Sequence, residues 1–385
     1  MTKFLILTLG RVDWNICNPI LKILKKKHKI YIAATAMHFE KKFGKSYNLI
    51  LKEGYKINFK IKLIFNNSTP NNINIQISSY IKHFSKIFNS NKFDFLILIG
   101  DRYESLAAAI SALPFKIPII HFHGGEITEG SIDNQHRNAI TKLSHVHMTS
   151  NKIYKKRILQ LGEENWRVKY IGSPSLSNIK KEKILDKNIF FKKYKLDPKK
   201  DIFLVNFNSE SINYEETKKQ IIILFNVLKK FKHKNILITK TNFDTNSDII
   251  NNFIYKIKKS FDFIKVVDYL GKDYSSAMRH SKIMIGNSSS GIIEASSFKL
   301  PVINIGTRQK GRAGSKNIIN CNFDEVNIMN SIRRACSSKF NIKIRKIINP
   351  YENKNFEKNL IYIISKISKL SKKKLITKKF VDQKF

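Results

Sequence analysis

A chain of 385 residues, 42% hydrophobic and 11% aromatic, is too long for one ordinary domain and apolar enough to bury two cores, as a compact globular protein requires. Its 71 Lys and Arg against 29 Asp and Glu give +42; the lysines scatter along the chain among many Asn, Ile and Phe, so composition bias and a solvated surface are expected, not a nucleic-acid partner. The opening apolar run is interrupted by Arg11 and Asp13, no stretch reaches the roughly 18 apolar residues of a membrane span, and Cys17, Cys321 and Cys336 sit in neither disulfide nor zinc spacing, so a cytoplasmic chain with no membrane association and no bound metal is expected.

In chain order, FLILTLG predicts a strand, WNICNPILKILKKK a helix, KIYIAAT a strand, NIQISSYIKHFSKIF a helix, FDFLILIG a strand, YESLAAAISAL a helix and IPIIHFH a strand. Short apolar runs alternating with amphipathic stretches are the mark of parallel βαβ units. A second series restarts after Gly172, from DIFLVNF through NILITK, FIKVVDY and KIMIG to PVINIG. The expected fold is α/β: two Rossmann-like, doubly wound domains over residues 1–172 and 173–350, with a cleft between them and a helix and lysine-rich tail over 351–385. IGSPSLSN supplies the hinge candidate, IYIISKISKLSKKK predicts a helix able to pack on either half, and the last dozen residues are expected to fray.

Open parallel sheets bind ligands beyond the carboxyl ends of their strands, so the polar residues there carry the chemistry. In LTLGRVDWN, Arg11 stands at a helix mouth and suits a phosphate, without the further glycines of a dinucleotide fingerprint or a Walker loop. LILIGDRYES sets Asp101 beside Arg102, one able to move a proton and the other to hold an anion, although an Asp before a helix also serves as a cap. HFHGGEITEGSID then adds His121, His123, two glycines and Glu126, with Asp133 and Arg137 one helical turn apart. Carboxylates near one another and near arginines acquire different proton affinities, as paired acid and base roles require; the two histidines are expected to pack or orient neighbours. In the second half MIGNSSSGIIEA offers Ser288 and Ser289 as a neutral phosphate cradle and Glu294 for ribose hydroxyls, or else a capping cluster, while INIGTRQKGR adds Arg308 and Arg312.

Together GRVDW, IGDRYE, HFHGGEITEG with IDNQHR, TNFDTNSDI, IGNSSSGIIEA and INIGTRQKGR resemble the hydrolysing UDP-N-acetylglucosamine 2-epimerases of the sialic-acid and legionaminic-acid pathways, in order over about residues 3–350. The resemblance implies the glycosyltransferase-B arrangement, no cofactor, and a homo-oligomer, dimer or tetramer. It further implies Asp101, Glu126 and Asp133 as catalytic carboxylates, and Arg11, Asn15, Arg102, Asn208, Asn242, Ser288, Ser289, Glu294 and Arg308 as contacts to the UDP of a UDP-sugar. The implied reaction converts UDP-N-acetylglucosamine to N-acetylmannosamine and UDP, by elimination to a glycal and its hydration. The same reaction on a bacillosamine-type UDP-sugar is the first alternative, followed by a glycosyltransferase and an inactive sugar-nucleotide binder. One departure stands out: where the family has histidine in a Phe-His-Pro context, this chain reads VNFNSES, and Asn208 can donate a hydrogen bond to phosphate but carries no charge.

Overall fold

The computed structural model describes residues 1–40, 45–63, 69–129, 132–179, 182–210, 214–241 and 247–382. The chain divides into two compact units: unit 1 comprises Met1–Glu126, Asp133–Asn178 and Tyr351–Phe385, and unit 2 comprises Ile127–Ile132 and Ile179–Pro350.

The first stretch of chain runs β1 (Lys3–Thr8), α1 (Arg11–Leu24), β2 (Lys29–Thr35), α2 (Tyr47–Lys52), β3 (Phe59–Ile61), α3 (Pro70–Ser90), β4 (Phe95–Ile99), α4 (Tyr103–Ala112), β5 (Ile119–Phe122), α5 (Asp133–Leu143), β6 (Val146–Thr149), α6 (Lys152–Gln160), β7 (Val168–Tyr170) and α7 (Pro174–Ile179). Its strands form one parallel sheet in the order β3-β2-β1-β4-β5-β6-β7. Central strands such as FLILI are buried at every position, because helices cover both faces of a parallel sheet. Two apolar clusters, one built on Phe4, Ile6 and Ile97 and one on Leu5, Leu7 and Leu98, fill the two sides.

Unit 2 repeats the plan. After α8 (Lys187–Lys193) come β8 (Ile202–Asn206), α9 (Thr217–Leu228), β9 (Asn235–Thr239), α10 (Ser247–Ser260), β10 (Ile264–Val267), α11 (Tyr274–His280), β11 (Ser281–Gly286), α12 (Ser289–Ile293), β12 (Val302–Ile305), β13 (Ile318–Cys321), α13 (Glu325–Cys336) and α14 (Ser338–Ile344). The parallel sheet order is β10-β9-β8-β11-β12-β13. In each sheet the chain starts at the centre, winds outward, then crosses back, as in a doubly wound nucleotide-binding fold. The reversal lies between β1 and β4 in unit 1 and between β8 and β11 in unit 2. Gly286 sits at that second reversal with φ +135°, and a Cβ there would lie 1.9 Å from the Asn206 carbonyl oxygen, so only glycine fits.

The closing segment carries α15 (Phe356–Ile367) and α16 (Lys372–Ile376). Phe356, Leu360, Ile363, Ile364 and Ile367 fall at helical spacing on one stripe, and all join the unit 1 cluster containing Phe4 and Trp14. Burying each such side chain is worth roughly 1.5–3 kcal/mol. Through residue 382 the tail, expected to fray, is instead tied down. The buried Arg167 guanidinium donates to the carbonyls of Lys374 (3.2 Å), Leu375 (2.7 Å) and Thr377 (2.6 Å), and the Val381 amide donates to the Gly162 carbonyl. Lys378 Nζ reaches Glu163 Oε1 at 2.8 Å and the carbonyls of Lys142 and Ser144. Local pattern misses this because each tail partner lies more than 200 residues away.

Candidate active site

In unit 1 the loops after β1 and β4 flank the reversal point. Gly10 precedes Arg11, the half-buried first residue of α1, while Asn15, one turn on, is exposed. Asp13 shares that first turn. Desolvation raises its carboxyl to about 7, against the pull of the Arg102 guanidinium and with the push of Glu104, so near neutral pH it exchanges a proton readily. Arg102 is the N-cap residue of α4 and forks onto Glu104, with Nε 3.4 Å from Oε2 and Nη2 3.5 Å from Oε1. Glu104 is 2% exposed and so fixes the direction of the arginine from beneath.

Asp101 does not cap α4. Its carboxylate accepts from Nη2 of Arg137, a guanidinium that is itself 1% exposed. Through Nη1 the same Arg137 donates to the Glu126 carbonyl at 2.8 Å and to Asn134 Oδ1 at 3.2 Å. One buried cation thus ties the β4 loop, the β5 loop and α5 together, placing Asp101 and Glu126 on one frame. Asp133 opens α5, part-exposed, with His136 Nδ1 3.9 Å from its Oδ1.

Glu126 is a buried acceptor: Oε1 takes bonds from His123 Nδ1 at 2.7 Å and Ser150 Oγ at 2.8 Å. His123, directly after β5, holds φ +63°, a left-handed conformation that is costly for a residue with a bulky side chain, of order 1–3 kcal/mol. Its Nε2 is buried and has no hydrogen-bond partner among the described residues. Leaving such a polar atom buried and unpaired costs about 1–3 kcal/mol more.

His121 behaves differently. It is fully buried, and burial lowers it to about 3, so it is neutral. Nε2 donates to the Gly100 carbonyl at 2.7 Å, leaving Nδ1 to accept from Thr141 Oγ1 at 3.3 Å, which pins the Asp101 turn to β5. The paired glycines follow from packing: at Gly125, φ +74°, a Cβ would lie 2.6 Å from the Tyr154 carbonyl oxygen.

In unit 2 the loops after β8, β11 and β12 are laced together. Asn208 is buried; its amide donates to Asn287 Oδ1 and its carbonyl accepts from Asn287 Nδ2, both at 2.8 Å, while Oδ1 accepts from Thr241 Oγ1 at 2.7 Å. The Asn287 carbonyl accepts in turn from Arg308 Nη1 (3.3 Å) and Gln309 Nε2 (2.9 Å). Glu210, 2% exposed, accepts from the amides of Thr307 (2.6 Å) and Arg308 (2.9 Å) and from Thr307 Oγ1 (3.0 Å). Ser288 caps α12 by accepting from the Ser290 amide; Ser289 is its first residue and half-buried Glu294 its C-cap. Glu294 also acts on Tyr274, whose phenol is raised by burial and by that carboxylate. Asn242 lies outside the described residues.

Unit 1 therefore gathers Arg11, Asp101, Arg102, Glu126 and Asp133 around one end of its sheet, and unit 2 gathers Asn208, Ser288, Ser289 and Arg308 around one end of the other. Glu104, Ser150, Glu210, Asn287 and Gln309, whose roles no sequence motif marks, hold those groups in place.

Residues 22–365 match the family model described as UDP-N-acetylglucosamine 2-epimerase. The hydrolysing GDP/UDP-N,N'-diacetylbacillosamine 2-epimerase of Campylobacter jejuni is 38% identical over 330 residues, covering 84% of this chain and 85% of that protein. Polysialic acid biosynthesis protein P7 of Escherichia coli is 32% identical over 97% of this chain and 96% of its own length. The hydrolysing UDP-N,N'-diacetylbacillosamine 2-epimerase of Legionella pneumophila is 31% identical over 86% and 88%. Among solved structures, the UDP-GlcNAc 2-epimerase from Neisseria meningitidis bound to UDP-GlcNAc superposes with a TM-score of 0.81 at 17% identity, covering 95% of this chain and all of that one, a likeness of fold.

Proposed function

Because the chain belongs to the UDP-N-acetylglucosamine 2-epimerase family, we propose that it is a hydrolysing 2-epimerase acting on a bacillosamine-type UDP-sugar, a 2,4-diacetamido-2,4,6-trideoxyglucose, and releasing UDP and the free 2-epimer. What carries the choice of sugar is the 38% identity to the Campylobacter jejuni enzyme, supported by the Legionella pneumophila one. UDP-N-acetylglucosamine, the first expectation from sequence, becomes the second reading; the likeness of the whole chain to the polysialic acid protein keeps it in the test.

The chemistry asks for what the two units supply. The C2 proton of a pyranose has no neighbouring carbonyl to acidify it, so its loss must accompany departure of the diphosphate from C1. Arg11, Arg102 and Arg308 serve the leaving charge, and Ser288, Ser289, Glu294 and Asn208 hold the nucleotide. Proton transfer belongs to the set built on Asp101, Glu126 and Asp133: Asp101 is held as a carboxylate by Arg137, Glu126 is buried under two donors, and Asp133 is part-exposed. Three carboxylates in three environments suit removal of a proton on one face of the sugar and its return on the other. Incubation of the protein with each UDP-sugar, and with the GDP form, in deuterated water is expected to release the nucleotide and label C2 of the product, fastest with the diacetamido sugar. Nucleotide release without a C2 label would sink the epimerase reading.

A further inference from the structure

Helix α5 carries much of the candidate chemistry on little apolar packing. Asp133 opens it, and Arg137, one turn on, holds the Asp101 carboxylate and the Glu126 carbonyl. Yet of its 11 residues only Arg137, Ile140 and Thr141 are buried, so a single aliphatic side chain is wholly enclosed. A helix so short is marginal by itself and takes its position from what ties its ends.

Arg137 ties the amino-terminal end. The carboxyl-terminal end must find donors for the carbonyls that no later turn satisfies. The Ile140 carbonyl accepts from Ser144 Oγ at 2.7 Å and the Thr141 carbonyl from the Ser144 amide at 3.1 Å. The Lys142 carbonyl takes its donor from a distant part of the chain: Lys378 Nζ reaches it at 2.8 Å, across 236 residues, and reaches the Ser144 carbonyl at 2.7 Å. Glu163, its side chain fully buried, holds the ammonium there. Its Oε1 accepts from Lys378 and from Lys142 Nζ, both at 2.8 Å, while Oε2 accepts from His147 Nε2 at 3.1 Å. A cation at this end also complements the helix dipole. Lys378 is only 18% exposed, and the tail that carries it is fixed separately by Arg167 on the carbonyls of Lys374, Leu375 and Thr377.

We propose that Lys378 is a positioning residue: as the carboxyl-terminal cap of α5 it fixes that helix along its axis and so sets where Asp133 and the Arg137-bound Asp101 stand, an assignment that rests on the reaction proposed above. At roughly 1.5 Å per residue, Asp133 stands about 13 Å along the axis from Lys142, and a hydrogen-bonded rod of that length passes a shift at one end to the other. A displacement of about 1 Å at a reacting group costs on the order of 100-fold in rate. Lys378 itself touches no reacting group; it acts through the backbone of α5.

The test uses the full chain with Lys378→Met, which keeps the aliphatic stem and leaves the Arg167 contacts to the tail in place. Hydrogen exchange read by mass spectrometry should quicken at least tenfold over α5, with β1 and β4 unchanged. At a temperature where both proteins are fully folded, kcat for nucleotide release should fall about five- to twentyfold, with KM and UDP affinity within twofold of the parent. Lys378→Arg, which restores a charged head with several donors, should return kcat to within about threefold of the parent. Parental exchange in α5 of the methionine variant overturns the hold on the helix. A parental kcat, even with a lower urea midpoint, or a loss confined to KM overturns the positioning role, as does an arginine variant as slow as the methionine one. Should Lys378→Met not fold, Lys378→Gln, a shorter and uncharged donor, is read by the same two measures. A parent protein that releases no nucleotide from any of the sugars overturns the reaction and with it the part of Lys378 in that reaction; a working parent matched by Lys378→Met overturns the part of Lys378 alone.

Discussion

Side chains with no chemistry of their own set the geometry of the candidate site. Glu210 is the clearest case: buried and acceptor-only, it holds the amides that precede and carry Arg308. Glu210→Ala leaves two backbone donors without an acceptor and is expected to cost about 2–4 kcal/mol of stability and to weaken UDP binding at least tenfold, read by denaturant titration and calorimetry. The types of residue at these loops were legible in the sequence: Asp101, Arg102, Glu126, Asp133 and Arg308 each follow an apolar strand. Their partners were not, because the pairings are tertiary. Ser150 reaches Glu126 across 24 residues and Glu210 reaches Thr307 across 97, and neither residue type announces its target. Asn208 shows the same limit: what the motif marks as a lost histidine is also an asparagine whose backbone is clasped by Asn287.

Among the elements, the strands that form the sheet centres were legible as apolar runs, and KIYIAAT coincides with β2. The edge strands β3 (FKI), β7 (VKY) and β13 (IINC) were not, being three or four residues long with charged or polar members on partly exposed positions. Nor was the anchoring of the tail. There Glu163, although burial pushes it up, is held at about 2 by hydrogen bonds from His147, Lys142 and Lys378. Arg167→Ala leaves three tail carbonyls without their donor and should lower stability by about 3 kcal/mol. Limited trypsin digestion should then cut first at Lys372–Lys374, before any cleavage within the sheets; a digestion pattern matching the parent would contradict the role given to Arg167.

For the whole molecule, buried ionisable groups set the response to acid. Burial lowers His121 to about 3 and both His38 and His145 to about 4, so below the ordinary 6.5 the unfolded chain takes up protons that the fold refuses. Stability therefore falls as pH drops from 6.5 towards 3. Glu163 works in the same direction: its contribution is complete above 4.5 and is lost as pH falls to about 2. The urea midpoint should decline steadily from pH 7 to pH 4. His145→Asn, which keeps an acceptor for the Ile119 amide, should flatten that slope between 6.5 and about 4. Despite +42, no group of charges need be invoked for the decline. Among the described residues no helix is long and apolar enough to cross a membrane.

The return of residues 351–382 to unit 1 has a consequence for biosynthesis. Emerging from the ribosome, unit 1 has its whole sheet by β7 but lacks α15, whose apolar stripe covers the cluster around Phe4 and Trp14. At 5–20 residues per second, roughly ten to thirty seconds pass while unit 2 is made. Unit 2, largely contiguous in the chain, can finish first; the half translated first is completed last, and during that interval its uncovered apolar face is the surface a chaperone would meet.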